Sequence, residues 1–121
     1  MKKINVLEKF SLFNEKWTPK IIGELNGQQV KLAKLVNEFV WHSHENEDEL
    51  FLIFKGTLNM EYRDRTEVLN EGDMVIVPKG VEHFPTVPEG EECWVMLFEP
   101  ASTKHTGEVM HERTVENPEW I

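Results

Sequence analysis

WHSHENEDELFLIFKG, residues 41–56, sets two histidines two positions apart, then an acidic run, then an apolar stretch that ends at a glycine. In an extended chain successive side chains alternate between faces, so His42 and His44 point the same way with their Cα atoms about 6.6 Å apart. Two imidazoles on one wall can converge on a single cation at about 2.1 Å each. His-x-His alone is a weak sign, and Glu49 strengthens it. This carboxylate heads the apolar run ELFLIF, where parity groups it with Phe51 and Ile53, and an inward carboxylate needs a partner to offset its lost hydration. Glu45, Glu47 and Asp48 read as a solvated charge run.

Downstream, GDMVIVPKGVEH, residues 72–83, reads as a strand ending in a Pro-x-Gly turn, with His83 three residues past Gly80. The two stretches combine as H-x-H-x4-E-x6-G and G-x5-P-x-G-x2-H, with 15 residues between Gly56 and Gly72. Gly56, Gly72 and Gly80 mark strand ends where the chain must reverse, and Pro78 fixes the backbone before the last of these turns. Strands recur at short intervals: EFVWHSH, ELFLIF, TLNMEYR, TEVLN, MVIVP, VEHFP and CWVMLFE. Short strands separated by glycine turns predict an all-β sandwich or an antiparallel barrel, because closure removes exposed edges.

Before the strands, Asn5 followed by Glu8 resembles a capping box, and Leu7, Phe10, Leu12 and Phe13 offer an apolar face for a short N-terminal helix. After Pro19, Ile21-Ile22 and the turn pair Asn26-Gly27 lead into QVKLAKL. The expected organisation is one domain over 1–121, with an N-terminal segment 4–22, a barrel core of about 29–99 and a polar tail 101–121. No repeat or low-complexity linker divides the chain.

Composition excludes several function classes. A net charge of −9 with no basic run longer than Lys2-Lys3 argues against a nucleic-acid or anionic-lipid partner. No apolar stretch has the length of a signal peptide core or a membrane span, so no membrane segment is expected. The single cysteine, Cys93, lies in an apolar run; it makes no internal disulfide and suits a reducing cytoplasm.

The paired patterns resemble the cupin superfamily, and within it the small single-domain cupins of the mannose-6-phosphate isomerase-like or conserved-barrel type. That resemblance implies a double-stranded β-helix, or jelly roll, holding one divalent metal ion inside. His42, His44, Glu49 and His83 fall on the ligand positions of that family. Two positions depart from the pattern: Val36 stands where the family usually has glycine, and Val87 where it usually has asparagine. Three imidazoles and one carboxylate suit zinc, iron, manganese, nickel or cobalt.

Parity extends the site. Val40, Phe51, Ile53, Val81 and Pro85 share the ligands' face and predict an apolar pocket wall, while Phe39 and Trp41 point the other way. Outward aromatics, with Phe10, Phe13 and Trp17, imply a covered surface, either by the chain's own N-terminal segment or by a second subunit. A homodimer is the expected assembly. Leu58, Met60 and Tyr62 read as core, and His105 and His111 as solvent-facing. The expected partner is a small polar organic molecule, the substrate of a metal-dependent enzyme of oxygenase or isomerase/lyase type, or else a small ligand of a non-catalytic binding module. No residue stands out as a general base. Arg63 and Arg65, at a hairpin, are poorly placed to clamp a phosphosugar.

Overall fold

The computed structural model describes residues 1–103 and 117–121. In chain order they form α1 (Val6–Phe10), β1 (Lys20–Leu25), β2 (Gln28–Leu35), β3 (Glu49–Lys55), β4 (Leu58–Tyr62), β5 (Thr66–Leu69), β6 (Met74–Val77), β7 (His83–Thr86), β8 (Cys93–Pro100) and β9 (Glu119–Trp120). Two sheets result, a six-stranded one ordered β6-β3-β8-β2-β1-β9 and a three-stranded one ordered β5-β4-β7. Every pairing is antiparallel except β1 with β9. The all-β barrel expected from the glycine-punctuated strands is the architecture found.

Local chemistry explains the connections. Asn26 and Gly27 both take positive φ, 50° and 78°, giving the two-residue turn whose twist matches the strands it joins. Alternation then sorts side chains. Phe51 and Ile53 of β3, Val95 and Leu97 of β8, Ala33 and Leu35 of β2, and Leu58, Met60 and Tyr62 of β4 meet in one buried cluster between the sheets. Strands β3, β4 and β8 alternate buried and half-buried, as a two-faced sheet requires, whereas β2 is buried on both faces from Lys31 to Leu35.

The outer face of the large sheet is also apolar. Register aligns two rows across four strands, Ile76-Leu50-Phe98-Val30 and Met74-Leu52-Met96-Leu32. The N-terminal segment covers one end of these rows: Phe10 and Phe13 pack with Ile22, Leu32, Phe54, Trp94 and Met96, and Phe10 stacks on Trp94 with ring centroids 5.0 Å apart. Asn5 caps the helix by accepting the Glu8 N–H at 3.0 Å.

Three expectations need correction. Leu7 and Leu12, assigned to the apolar helix face, are 61% and 63% exposed. The helix ends at Phe10 and docks through Val6 and Phe10, four residues apart, so helical spacing never reaches Leu12 and leaves Leu7 on the solvent side. EFVWHSH is not a regular strand: its backbone pairs with β7 at the isolated bridges Glu38–Thr86 and His42–His83. Asn37, with φ +58°, breaks the alternation. Phe39 therefore turns inward, buried against Trp17 at 4.6 Å between ring centroids, rather than sharing an outward face with Trp41. Trp41 is half-buried, stacked on Phe84 and covered by the Arg63 guanidinium 3.7 Å from its ring centroid.

The end of the chain returns as β9 beside β1, and Ile121 reaches the Phe10 cluster. His105 and His111 lie outside the described residues. Among the described residues, no helix is long and apolar enough to cross a membrane.

Candidate metal centre

Backbone pairing brings the motif residues together. His42 and His83 exchange N–H···O bonds in both directions, at 3.1 and 2.9 Å, and the Gly80 N–H donates to the His44 carbonyl at 2.7 Å. These bonds zip the histidine segment to the start of β7. Asp48, assigned to a solvated run, also fastens this seam, accepting the Lys79 N–H at 2.8 Å. Across the seam the His42 and His83 rings lie 4.2 Å apart, with His44 at 5.2 and 5.7 Å from them. Glu49, the first residue of β3, completes the group, its Oε1 3.3 Å from His44 Nε2 and 3.6 Å from His83 Nε2.

One nitrogen or oxygen from each of the four residues falls within 4.8 Å of all the others. Relative exposure is 4% for His42, 3% for His44, 2% for Glu49 and 0% for His83. Orientation is set from behind: the Nδ1 atoms of His42 and His83 sit 2.8 and 2.9 Å from the carbonyls of Val40 and Val81. An Nδ1–H donated there leaves each Nε2 lone pair free to face the others, the usual outer-shell device of metal-binding histidines. Both nitrogens of His44, Nε2 of His83 and Oε1 of Glu49 have no hydrogen-bond partner. Buried polar atoms left without partners are exceptional and call for an explanation. The donor set fits a divalent cation, and the cluster is compatible with metal binding.

Protonation agrees. Burial, then the neighbouring His83 ring, pushes His42 down to about 3, so the imidazole is neutral, the form that ligates. Burial alone raises Glu49, but the neighbouring Glu99 carboxyl and the His44 and His83 imidazoles outweigh it and hold the carboxyl well below its ordinary range.

Two residues behind Glu49 escaped the reading of the sequence. The β3–β8 register, which pairs Leu50 with Phe98, places Glu99 beside Glu49 on the inner face. Lys31 of β2 donates to Glu99 Oε1 at 2.9 Å, and all three side chains are buried. Burial, and then the Glu49 charge, push Glu99 well above the usual carboxylate range. The available signal was parity: Lys31 is in phase with buried Ala33 and Leu35, and Glu99 with Val95 and Leu97.

Next to His42 and Glu49 is a cavity of about 30 Å³. Phe51 and Pro85 line it. Ile53 belongs instead to the packed core, and Val40 and Val81 lean against that core without reaching the cavity. Lining residues that parity did not suggest are Trp17, Pro19 and the inward-turned Phe39. Gly56, Gly72 and Gly80 all adopt positive φ at the ends of the strands around the site. Arg63 pairs with Glu82 at 3.0 Å on the surface, away from the centre.

Comparison with known proteins agrees with this architecture. The chain is similar to a cupin-2 domain containing protein of Shewanella frigidimarina, with 48% identity, a TM-score of 0.77, and coverage of 80% of this chain and 93% of that one. It is also similar to NMB1881 of Neisseria meningitidis, at 30% identity and a TM-score of 0.73 over 83% of this chain and 100% of that one. YdbB of Bacillus subtilis, an uncharacterised protein, is 40% identical over 63 residues, 51% of this chain; the match spans 56% of YdbB, a little over half its length. The family model described as the cupin domain matches residues 29–99. With more than half of its length under that model, this chain belongs to the cupin family.

Proposed function

We propose that His42, His44, Glu49 and His83 hold one divalent ion, of zinc, iron, manganese, nickel or cobalt, and that the chain is a metal-dependent enzyme acting on a small organic molecule. The observation that carries this reading is the set of unpartnered nitrogen and oxygen atoms converging within 4.8 Å inside a closed wall. Bound there, such an ion supplies Lewis-acid or redox chemistry. The chain's own part is to aim the imidazoles through the Val40 and Val81 carbonyls and to exclude water with apolar walls. His42 and Glu49, both assigned as ligands, are the cavity's titratable residues. Isomerisation or elimination needs a further group to move a proton. Oxygenation does not, and it is the reaction type favoured here.

Elemental analysis of the purified protein tests the centre. Stoichiometric metal, lost in both His42→Ala and His83→Ala, is the expected result; metal content unchanged by both substitutions overturns it. Oxygen uptake by the iron-loaded protein with a panel of diols, keto acids and thiols then tests the reaction type. The same lack of a proton-transfer group favours a second reading, a non-catalytic module that binds or senses a small ligand. Tight ligand binding without turnover by any loaded metal distinguishes it.

A homodimer is part of this proposal. None of the outward-facing side chains of β2, β3, β6 and β8 is acidic, although the chain has 22 acidic residues and a net charge of −9. A two-fold contact sets the same patch against itself, and an acid-free apolar patch is the part of so acidic a molecule best able to meet its own copy. Ile76 and Met74, 52% and 55% exposed, lie at the end of this face that the N-terminal segment leaves open.

A further inference from the structure

A cavity of about 30 Å³ has room for a water or two and is about a tenth of the smallest usual ligand pocket, roughly 300 Å³. Its wall is as telling as its size. Leu35, Phe51, Pro85 and Val95 present hydrocarbon from the barrel, and Trp17, Pro19 and Phe39 close the remaining side. The polar atoms that reach the space belong to His42 and Glu49. A sugar or a phosphate, polar on every side, leaves water on entering here and finds partners on one side only, at His42 and Glu49, with hydrocarbon against the rest. The small polar substrate expected from the sequence does not suit this wall.

Trp17 is the large side chain that the segment before the barrel adds to this wall, beside Pro19. It lies between α1 and β1, outside any regular strand, on a strap bridged to β2 at Lys16–Lys34. Its N–H donates to the Lys34 carbonyl at 2.9 Å and its indole Nε1–H to the Val36 carbonyl at 2.8 Å. Those carbonyls flank Leu35, itself a wall residue. The indole plane lies 11° from that of Phe39, at 4.6 Å, and Lys16 ties the strap to Glu92 at 2.8 Å. The backbone of Trp17 has φ +56°, a region that bulky side chains rarely adopt and that persists where the surroundings enforce it. Two N–H bonds, a ring stack and an ion pair hold the strained residue over the cavity.

We infer that Trp17 is the specificity-determining residue of this site: the indole limits the ligand at the centre to a small molecule of a few heavy atoms with an apolar body, the size class of dioxygen or a one-carbon thiol. This rests on the reading that the four side chains bind a metal, and it adds what that metal can be reached by.

The test uses cobalt-loaded protein and thiols of growing apolar bulk, followed by the sulfur-to-cobalt absorption band. Methanethiol is expected to bind the parent protein at least 10-fold more tightly than phenylmethanethiol. Trp17→Ala should erase or reverse that preference at unchanged cobalt content, and Trp17→Phe, which keeps a ring over Phe39 but loses the bond to Val36, should fall between. A parallel measurement needs no metal: benzene, detected by NMR, should bind metal-free Trp17→Ala and not the parent. If cobalt fails to load while benzene distinguishes the two proteins, the size limit stands and the metal assignment falls. If cobalt loads but the thiol ratio is the same in the parent and both variants, and benzene enters neither or both proteins, the role of Trp17 is overturned.

Discussion

Glu49 of β3 and Glu99 of β8 are cross-strand neighbours on the inner face of the large sheet, and Lys31 of β2 reaches Glu99 at 2.9 Å. Two buried ionisable residues, Glu99 and Lys31, thus line up behind the Glu49 carboxyl of the candidate metal centre and fix its position. Lys31→Met leaves the buried Glu99 carboxyl without its donor, a change that typically costs about 1–3 kcal/mol. Glu99→Gln keeps a donor for Glu49 and an acceptor for Lys31, and should cost less than half as much. Urea unfolding of both variants checks the order. Metal affinity should fall about 10–100-fold in Lys31→Met, the usual penalty for disturbing an outer-shell partner, as measured by competition with a chelator.

Gly56 has φ +81°, and a Cβ placed on it runs into the carbonyl oxygen of Glu92. Gly56→Ala combines left-handed strain with overpacking against backbone, together about 3 kcal/mol. Gly72 has φ +87° with open space around it, so Gly72→Ala should cost about 1 kcal/mol from conformation alone. Thermal unfolding of the pair separates the two contributions; equal losses would show that the contact with Glu92 yields freely.

Phe10 is fully buried among Phe13, Phe54 and Trp94, whereas Leu7 on the same helix faces solvent. Phe10→Ala should destabilise by about 3–5 kcal/mol. Leu7→Ala should stay within about 0.5 kcal/mol of the parent. A small effect at Phe10 would mean that the N-terminal segment is not docked as described.

Cys93 is fully buried, and burial followed by the charge of Glu91 pushes its thiol up to about 12. Because the thiolate is the reactive form, iodoacetamide at pH 8 should leave Cys93 unmodified in the folded protein and alkylate it in guanidinium. Mass spectrometry reads both. Rapid labelling under native conditions would contradict the packing of β8.

Ile76→Glu puts a carboxylate onto the acid-free outer face at its open end. If that face joins two copies, light scattering should give twice the chain mass for the parent and the chain mass for the variant, with unfolding of the monomeric fold unchanged. A parent that is monomeric at high micromolar concentration sinks the dimer.

Much of this was legible in the sequence because strands and ligands obey local rules. Alternation in ELFLIF put Glu49, Phe51 and Ile53 on the inner face, CWVMLFE read as a strand, and the turn residues marked the reversals. Parity failed between Val36 and His44, where Asn37 adopts positive φ and the chain passes from one sheet to the other. A period-two rule holds only while the backbone stays extended, so Phe39 came out on the wrong side. Trp17 was hidden for another reason: its place over the cavity depends on carbonyls 17 and 19 residues away, which no local pattern encodes. The Lys31–Glu99 pair was visible in principle, as charge at inward parity, but two such residues in separate strands declare themselves a pair only once the register is known.

The segment that carries His42 and His44 is also where the chain crosses from β2 toward β7, and its bridges Glu38–Thr86 and His42–His83 stitch the small sheet to the large one. Ligand site and closing joint are the same few residues. Free energy therefore flows both ways: whatever grips the imidazoles also fastens the two halves, and whatever loosens the joint weakens the grip by an equal amount. Chelation, on this geometry, is a mechanical act as well as a chemical one, and a stripped protein should breathe first along this line.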